Sequence, residues 1–420
     1  MPLARREFIK NATLSGAASL CFASVARSDS KSGEPEYLRN ARWLGDRFIK
    51  WQAPYGGTDP KNCPYRTKEN IVPTIIQGIG PQVRALYALY DATGIEKYKV
   101  AADRHAVFMM NAVHDPPVPY HNKMTLQGEE VYAASTSWQY GKVLSPCYDL
   151  FVKHNPDEHV FDLKAYSIFQ WLQAHRRDDS YFGVGYPNGE FEDAQFSCDL
   201  GEVGSGLVGY YEVSDNKDAL KDAFGLAKYF LTEHEDGSAA GVWSSKIGTW
   251  LVGPWPGGGA EHFTSQQYDQ TGWGWSCLVV GEFLLELREL TDDDSTRKQI
   301  AEKCVKAFQW CIDHCQFDDG AHGMFGKDDK WVGQAAAAIL LYTRLLEQDL
   351  VPPDVQEKYG PKIQKSWCWM LNHTGKDTYP TDGYIKVTGS TTTKPPENLL
   401  WMMSWTVDAL LAGGEKFTCN

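Results

Sequence analysis

Apolar and polar positions along this chain fall into paired helical blocks. Residues 80–91 form one apolar-periodic run, Thr93-Gly94 breaks it, and a second amphipathic run follows at 97–113. The same pattern recurs at 141–151 with 161–174, 204–213 with 219–232, 272–290 with 295–314, and 333–346 with 353–371. The glycines that open the first member of each pair, Gly80, Gly141, Gly204, Gly272 and Gly333, recur about every 60–70 residues, and such self-similarity means stacked copies of one supersecondary unit. Asp/Gly-rich stretches close the copies, among them Asp178-Asp179-Ser180, Glu235-Asp236-Gly237, Asp318-Asp319-Gly320 and Thr381-Asp382-Gly383. Residues of this kind stop helices and build turns.

The two members of a pair differ in composition. The first is rich in small residues, as in Gly333-Gln334-Ala335-Ala336-Ala337-Ala338, which lets helices approach closely in an inner ring. The second carries a charged outer face, as in Arg297-Lys298-Gln299-Ile300-Ala301-Glu302-Lys303. With a leading helix at 37–51 and a closing one at 397–411, the pattern predicts an all-α fold: an (α/α)6 toroid of alternating inner and outer helices, with room for a seventh pair. An open binding solenoid is the competing arrangement. The long stretches between pairs, above all 231–267 with Trp243, Trp250 and Trp255, favour a toroid whose loops carry a site.

The N-terminus changes the picture of where the chain works. Arg5-Arg6-Glu7-Phe8-Ile9-Lys10 precedes a weakly apolar run and small residues at Ser24 and Ala26, which reads as a twin-arginine export signal over residues 1–26. Residues 27–420 are then expected to form one catalytic domain, periplasmic or secreted, because no linker interrupts them and no later run reaches the length of a membrane span. The net charge of -13 argues against nucleic acid or an anionic membrane as partner. Ten cysteines invite a disulfide framework, but Cys21 falls in the leader and twin-arginine substrates fold before transport. Cys304, Cys311 and Cys315 share a helical stripe and are expected in the core. No zinc-type ligand spacing, phosphate loop or nucleophile elbow is present, so no bound cofactor is expected, although loop carboxylates leave room for a divalent cation.

The repeat, together with the run from Leu86 to Tyr98 through its Thr93-Gly94 turn and Lys97-Tyr98, resembles the (α/α)-toroid glycoside hydrolases and polysaccharide lyases over nearly the whole mature chain. In organisation it is most similar to single-domain toroid lyases acting on alginate or glucuronan. The resemblance implies a cleft at the N-terminal ends of the inner helices and an acidic polysaccharide as substrate. The segments that would reach such a cleft offer Arg66, Lys68, Asn70, Trp138, Gln139, Tyr140, Asn188, Glu202, Gln267, Trp243 and Lys330 for binding.

Two chemistries compete for that cleft. β-Elimination at a uronate needs a base, a proton donor for the leaving oxygen, and groups that neutralise the carboxylate. The resemblance would make Tyr268 the proton acceptor and donor, with His262 a second proton handler, and Arg66, Lys68, Asn70 and Asn188 are candidates for the carboxylate. Hydrolysis needs two carboxyl groups, one protonated and one ionised. Glu190, Glu192, Asp193, Asp199 and Glu202 crowd one helix entrance, with Asp193 and Glu202 the preferred pair, although acidic residues are also common there as helix caps. The mixture of Lys, Arg, Asn, Gln, His and Tyr favours the lyase. A non-catalytic glycan-binding toroid is the third reading, disfavoured by the proton-transfer groups. Trp138, Trp243, Trp250 and Trp255 are candidate sugar platforms, whereas Trp171, Trp310, Trp367 and Trp369 are expected to pack.

Overall fold

The computed structural model describes residues 33–54, 56–59, 62–63, 71–73, 76–113, 121–125, 130–132, 135–176, 184–185, 191–192, 197–233, 243–251, 274–324, 326–327, 329–380, 384–385 and 399–419. The leader expected at residues 1–26 lies outside them. Among the described residues there are twelve helices, counting the broken fourth once: α1 Glu36–Trp51, α2 Ile76–Thr93, α3 Glu96–Ala112, α4 (Ser137–Lys142, Val143–Tyr148 and Asp149–His154), α5 Asp162–Ala174 and α6 Ser197–Ser214. They continue as α7 Lys217–Leu231, α8 Gly274–Glu289, α9 Asp294–Cys315, α10 Val332–Glu347, α11 Pro353–Asn372 and α12 Leu399–Gly413.

The even-numbered helices pack side by side in the closed order α2, α4, α6, α8, α10, α12 and back to α2. Each odd-numbered helix lies behind an inner one, and α1 closes the circuit by packing against α12. The fold is an (α/α)6 toroid.

Composition explains the two rings. In α10 the stretch Val332–Leu341 is buried throughout, because a helix flanked on both sides and backed by a third has no exposed face. Close approach is most stringent where α4 meets α6. A Cβ on Gly141 would stand 2.6 Å from the Glu202 carbonyl, and one on Gly206 2.6 Å from the Gly141 Cα, so neither position admits a side chain without moving a backbone. Outer helices carry the caps: the Asn216 side chain accepts from the Asp218 and Ala219 amides, and Asp293 from those of Ser295 and Thr296.

Connections from inner to outer helices are short and use left-handed residues, Gly94 (φ 65°), Asp215 (φ 57°) and Asp349 (φ 54°), to end the inner helix. Those from outer to inner helices are long and, among the described residues, hold ten short strands paired as small antiparallel ribbons, such as Trp243–Ser244 with Thr249–Trp250 and Lys330–Trp331 with Tyr384–Ile385. All long connections therefore lie at the end where the inner helices begin.

One disulfide, Cys368–Cys419, ties the C-terminal tail to α11, a pairing the sequence reading did not anticipate. Cys304, Cys311 and Cys315 are buried in the core as expected. Among the described residues no helix is long and apolar enough to cross a membrane.

Candidate functional site

The third inner helix starts earlier than its apolar periodicity suggests. The pattern begins at Gly204, but α6 begins at Ser197, so Asp199 and Glu202 stand on the first turns of an inner helix rather than on a loop. The segment Cys198-Asp199-Leu200-Gly201-Glu202 hides its helical character because polar residues occupy the side that faces the lumen and α4.

Lys142, on α4, reaches across to Glu202 with Nζ 2.9 Å from Oε1, and both side chains are at least nine-tenths buried. The other oxygen, Oε2, is buried without a hydrogen bond. Burial pushes the Glu202 carboxyl up, and Lys142 opposes the push. Asp199, one turn earlier, is also buried. Removal from water, reinforced by the charge of Glu202, raises it to about 8, against the pull of Lys142. At neutral pH the pair therefore holds a proton donor beside a carboxylate that Lys142 favours in its ionised form. Lys142 is followed by the break in α4, where Ser145 leaves the helical conformation (φ -144°, ψ 124°) ahead of Pro146.

An aromatic wall occupies the first turns of α8 and α12. Trp275 and Trp401 stack with centroids 4.1 Å apart, and Trp405 meets Trp401 edge-on at 4.7 Å. Helices α8 and α12 flank α10, whose small residues leave room for the rings to meet in front of it.

About 10 Å further along the inner helices, seven residues on at 1.5 Å each, lies an ionic tier. Arg84 of α2 donates to both oxygens of Glu282 on α8, at 3.0 and 2.7 Å, and its Nε lies 3.0 Å from Asp408 of α12. Burial alone would raise Glu282, but Arg84 and Arg344 overcome it and hold its carboxyl below the usual range. Asp408 is raised to about 6 by burial, with Arg84 opposing and Glu282 reinforcing. Glu286, accessible to solvent yet walled round by the inner ring, is raised to about 7 by loss of bulk water and by Glu282 and Glu212.

The other residues expected at the site are placed as follows. Gln139 is buried near the start of α4. Tyr140 is fully buried with its ring 4.5 Å from Trp171, on the side of α4 that faces α5, so it packs the ring interface rather than lining the lumen. Trp243 is buried against Trp250 at 5.3 Å, and the Lys303 ammonium sits 4.1 Å over its ring, so this ring too serves packing against an outer helix. Trp250, fully buried, donates its indole N–H to the Phe230 carbonyl. Lys330 pairs with Asp319 at 2.5 Å and lines an open depression of about 290 Å³ with Phe317, Asp318 and Lys327, at the outer rim.

Arg66, Lys68, Asn70, Asn188, Asp193, His262, Gln267 and Tyr268 lie outside the described residues, as does the side chain of Trp138. Lys142, Trp275, Trp401 and Trp405 are absent from the sequence candidates because each falls inside a predicted helix, at 141–151, 272–290 or 397–411, where such a residue reads as packing or surface. Their signal was a tryptophan or lysine inside a helix otherwise made of small and apolar residues.

No family profile and no curated protein matches the sequence. Solved structures match over nearly their full lengths at low identity. A D-mannose isomerase superposes with a TM-score of 0.63 at 12% identity, covering 91% of this chain and 99% of its own. A glycosyl hydrolase of family 88 from Bacteroides vulgatus gives 0.60 at 11%, covering 90% and 99%. A polysaccharide lyase gives 0.56 at 10%, covering 90% and 99%. At such identities the likeness establishes the toroid, and chemistry must come from the residues.

Proposed function

We propose that this chain is a glycan-cleaving enzyme working at the N-terminal mouth of its inner ring, with Asp199 as proton donor and Glu202 as its ionised partner. The observation that carries the reading is the Asp199 carboxyl, raised to about 8 beside a Glu202 carboxylate that Lys142 holds at 2.9 Å. A general acid must still be protonated near the working pH and must sit beside a group that can stabilise positive charge or activate water. The two carboxyl groups meet these needs, and the tryptophans of α8 and α12 supply faces on which a pyranose can stack. The structural relatives named above are an isomerase, a hydrolase and a lyase of carbohydrates, which supports glycan chemistry at this end of the toroid.

In this mechanism Asp199 protonates the glycosidic oxygen as the bond to the anomeric carbon breaks, and Glu202 stabilises the cationic carbon or takes a proton from the entering water. Which of these Glu202 does fixes the stereochemical outcome. Lys142 keeps Glu202 charged while Asp199 is protonated. The Asp199→Asn variant is expected to lose about 10²–10⁴ in kcat without a fall in melting temperature, measured as new reducing ends from a panel of polysaccharides. Full activity in that variant would sink the assignment.

β-Elimination is the second reading. It is favoured by the lyase among the structural relatives and by the position of His262 and Tyr268 shortly before α8 in the chain. Near-ultraviolet absorbance from an unsaturated product, lost in Tyr268→Phe and kept in Asp199→Asn, would establish it in place of hydrolysis. Export is part of the proposal: the Arg5-Arg6 leader directs it, and a disulfide such as Cys368–Cys419 is at home in an oxidising compartment.

A further inference from the structure

The lumen is rich in acceptors and short of available cations. Among the described residues, the basic side chains that the inner helices bring beside the aromatic and ionic tiers are Lys142, Arg84, Arg344 and Lys153, and each is engaged; Lys153 holds Glu212 at 2.8 Å and lies 3.4 Å from Asp149. Lys142 holds Glu202 at 2.9 Å; Arg84 holds Glu282 and Asp408; Arg344 donates to Glu347 at 3.1 Å and lies 3.8 Å from Glu282. Against these cations stand Asp199, Glu202, Glu282, Glu286 and Asp408, besides Glu212, Asp149 and Glu347, which Lys153 and Arg344 already hold. Glu202 Oε2 and Asp408 Oδ1 are buried without a hydrogen bond, and so is the Trp401 indole nitrogen. Orphaned acceptors of this kind call for a donor.

The helical register puts these groups on the same faces as the tryptophans. Trp275 and Glu282 are seven residues apart on α8, as are Trp401 and Asp408 on α12, and two turns return a side chain to nearly the same direction. Trp275 and Trp405 keep 7% and 6% of their surface open. A ligand that meets both an indole face and carboxylate acceptors must offer C–H surface and hydroxyl donors. A uronate ring brings a negative charge into a space where every cation among the described residues is already taken, and repulsion from the carboxylates opposes it.

We propose that the sugar ring taken into this lumen is an uncharged pyranose, seated between Trp275 and Trp405 on one side, with Trp401 buried behind them, and the Glu202 carboxylate on the other, so that the glycan processed is neutral at the point of attack. This rests on the reading of the mouth as a glycan site and replaces the acidic polymer expected from Arg66, Lys68, Asn70 and Asn188. Hydroxyls donate to the Glu202 carboxylate, and the ring's apolar face lies on the open parts of Trp275 and Trp405.

The test is calorimetric titration of the full mature protein with three matched sets of oligosaccharides: neutral manno- and gluco-oligosaccharides, oligouronates, and glucosamine oligomers. The neutral set is expected to bind at least about tenfold more tightly than either charged set, with little change between low and high salt. Trp275→Phe and Trp405→Phe, which keep an aromatic ring in place, are expected to weaken that binding while the melting temperature holds, and Asp199→Asn to keep binding while losing cleavage. Tighter binding of oligouronates or glucosamine oligomers, or full neutral affinity in both tryptophan variants, would overturn the inference. If oligouronates are bound and cleaved, only the neutral-ring assignment falls. If no set is bound or cleaved, the glycan reading of the mouth falls with it.

Discussion

Glu202 and Glu282 are the same residue type, each on an inner helix and each 8% exposed, yet their surroundings drive them in opposite directions. Glu282 receives two hydrogen bonds from Arg84 and the nearby charge of Arg344, and its carboxyl is held low. Glu202 has one cation, Lys142, and one oxygen with no hydrogen bond, and its carboxyl is pushed up. Glu282 has the coordination of a structural group, although Asp408 in the same tier keeps an oxygen without a hydrogen bond among the described residues, whereas Glu202 is left under-satisfied. Buried carboxylates of equal depth are thus driven to opposite protonation tendencies by how many donors reach them.

The largest effect expected from that difference is at Arg84. Arg84→Met leaves Glu282 and Asp408 buried without their main partner and is expected to cost about 3–5 kcal/mol in denaturant unfolding. A loss under about 1 kcal/mol would remove the structural role of the tier.

Asp199 sharpens the comparison through pH. Its folded value of about 8 lies above an unfolded value near 3.9, so the folded state holds a proton that the unfolded chain has released between these limits. Stability from this group is therefore complete below about pH 4 and is lost as pH rises to about 8. Asp199→Asn lacks the loss, so its stability relative to the parent is expected to climb by a few kcal/mol across that window and then level off. A difference that stays flat from pH 4 to 9 would refute the raised carboxyl.

Lys142→Met should be milder than Arg84→Met, about 1–2 kcal/mol, because Glu202 can take up a proton when its cation is removed. Equal losses for the two variants, measured side by side, would erase the distinction between the tiers. Leu163→Ala provides the baseline: this side chain is exposed on α5 and the change should stay within about 0.5 kcal/mol.

The inner and outer rings were readable because their signal is local. Small residues recur in one helix of each pair and charged faces in the other, and the leading and closing helices emerged within two residues of their observed ends. The site was less readable. Trp243 and Trp250 sit beside loops in the chain, yet their rings turn inward onto outer helices, since loop position does not fix the direction of a side chain. Trp275, Trp401 and Trp405 resemble core residues in sequence and share one wall only because the ring closes. The beginning of α6 was missed because a luminal face substitutes Asp and Glu for the apolar residues that periodicity relies on.

By itself the sequence determined the helix-pair repeat, the two kinds of helix and the end at which long connections gather, because propensity, turn chemistry and amphipathic period act over a few residues. Only the tertiary structure decided which charged residues are satisfied. Arg84, Glu282 and Asp408 are distant in the chain, and their pairing depends on ring closure. So does the isolation of Asp199 and Glu202 with a single lysine, since burial and donor count are properties of the packed ring.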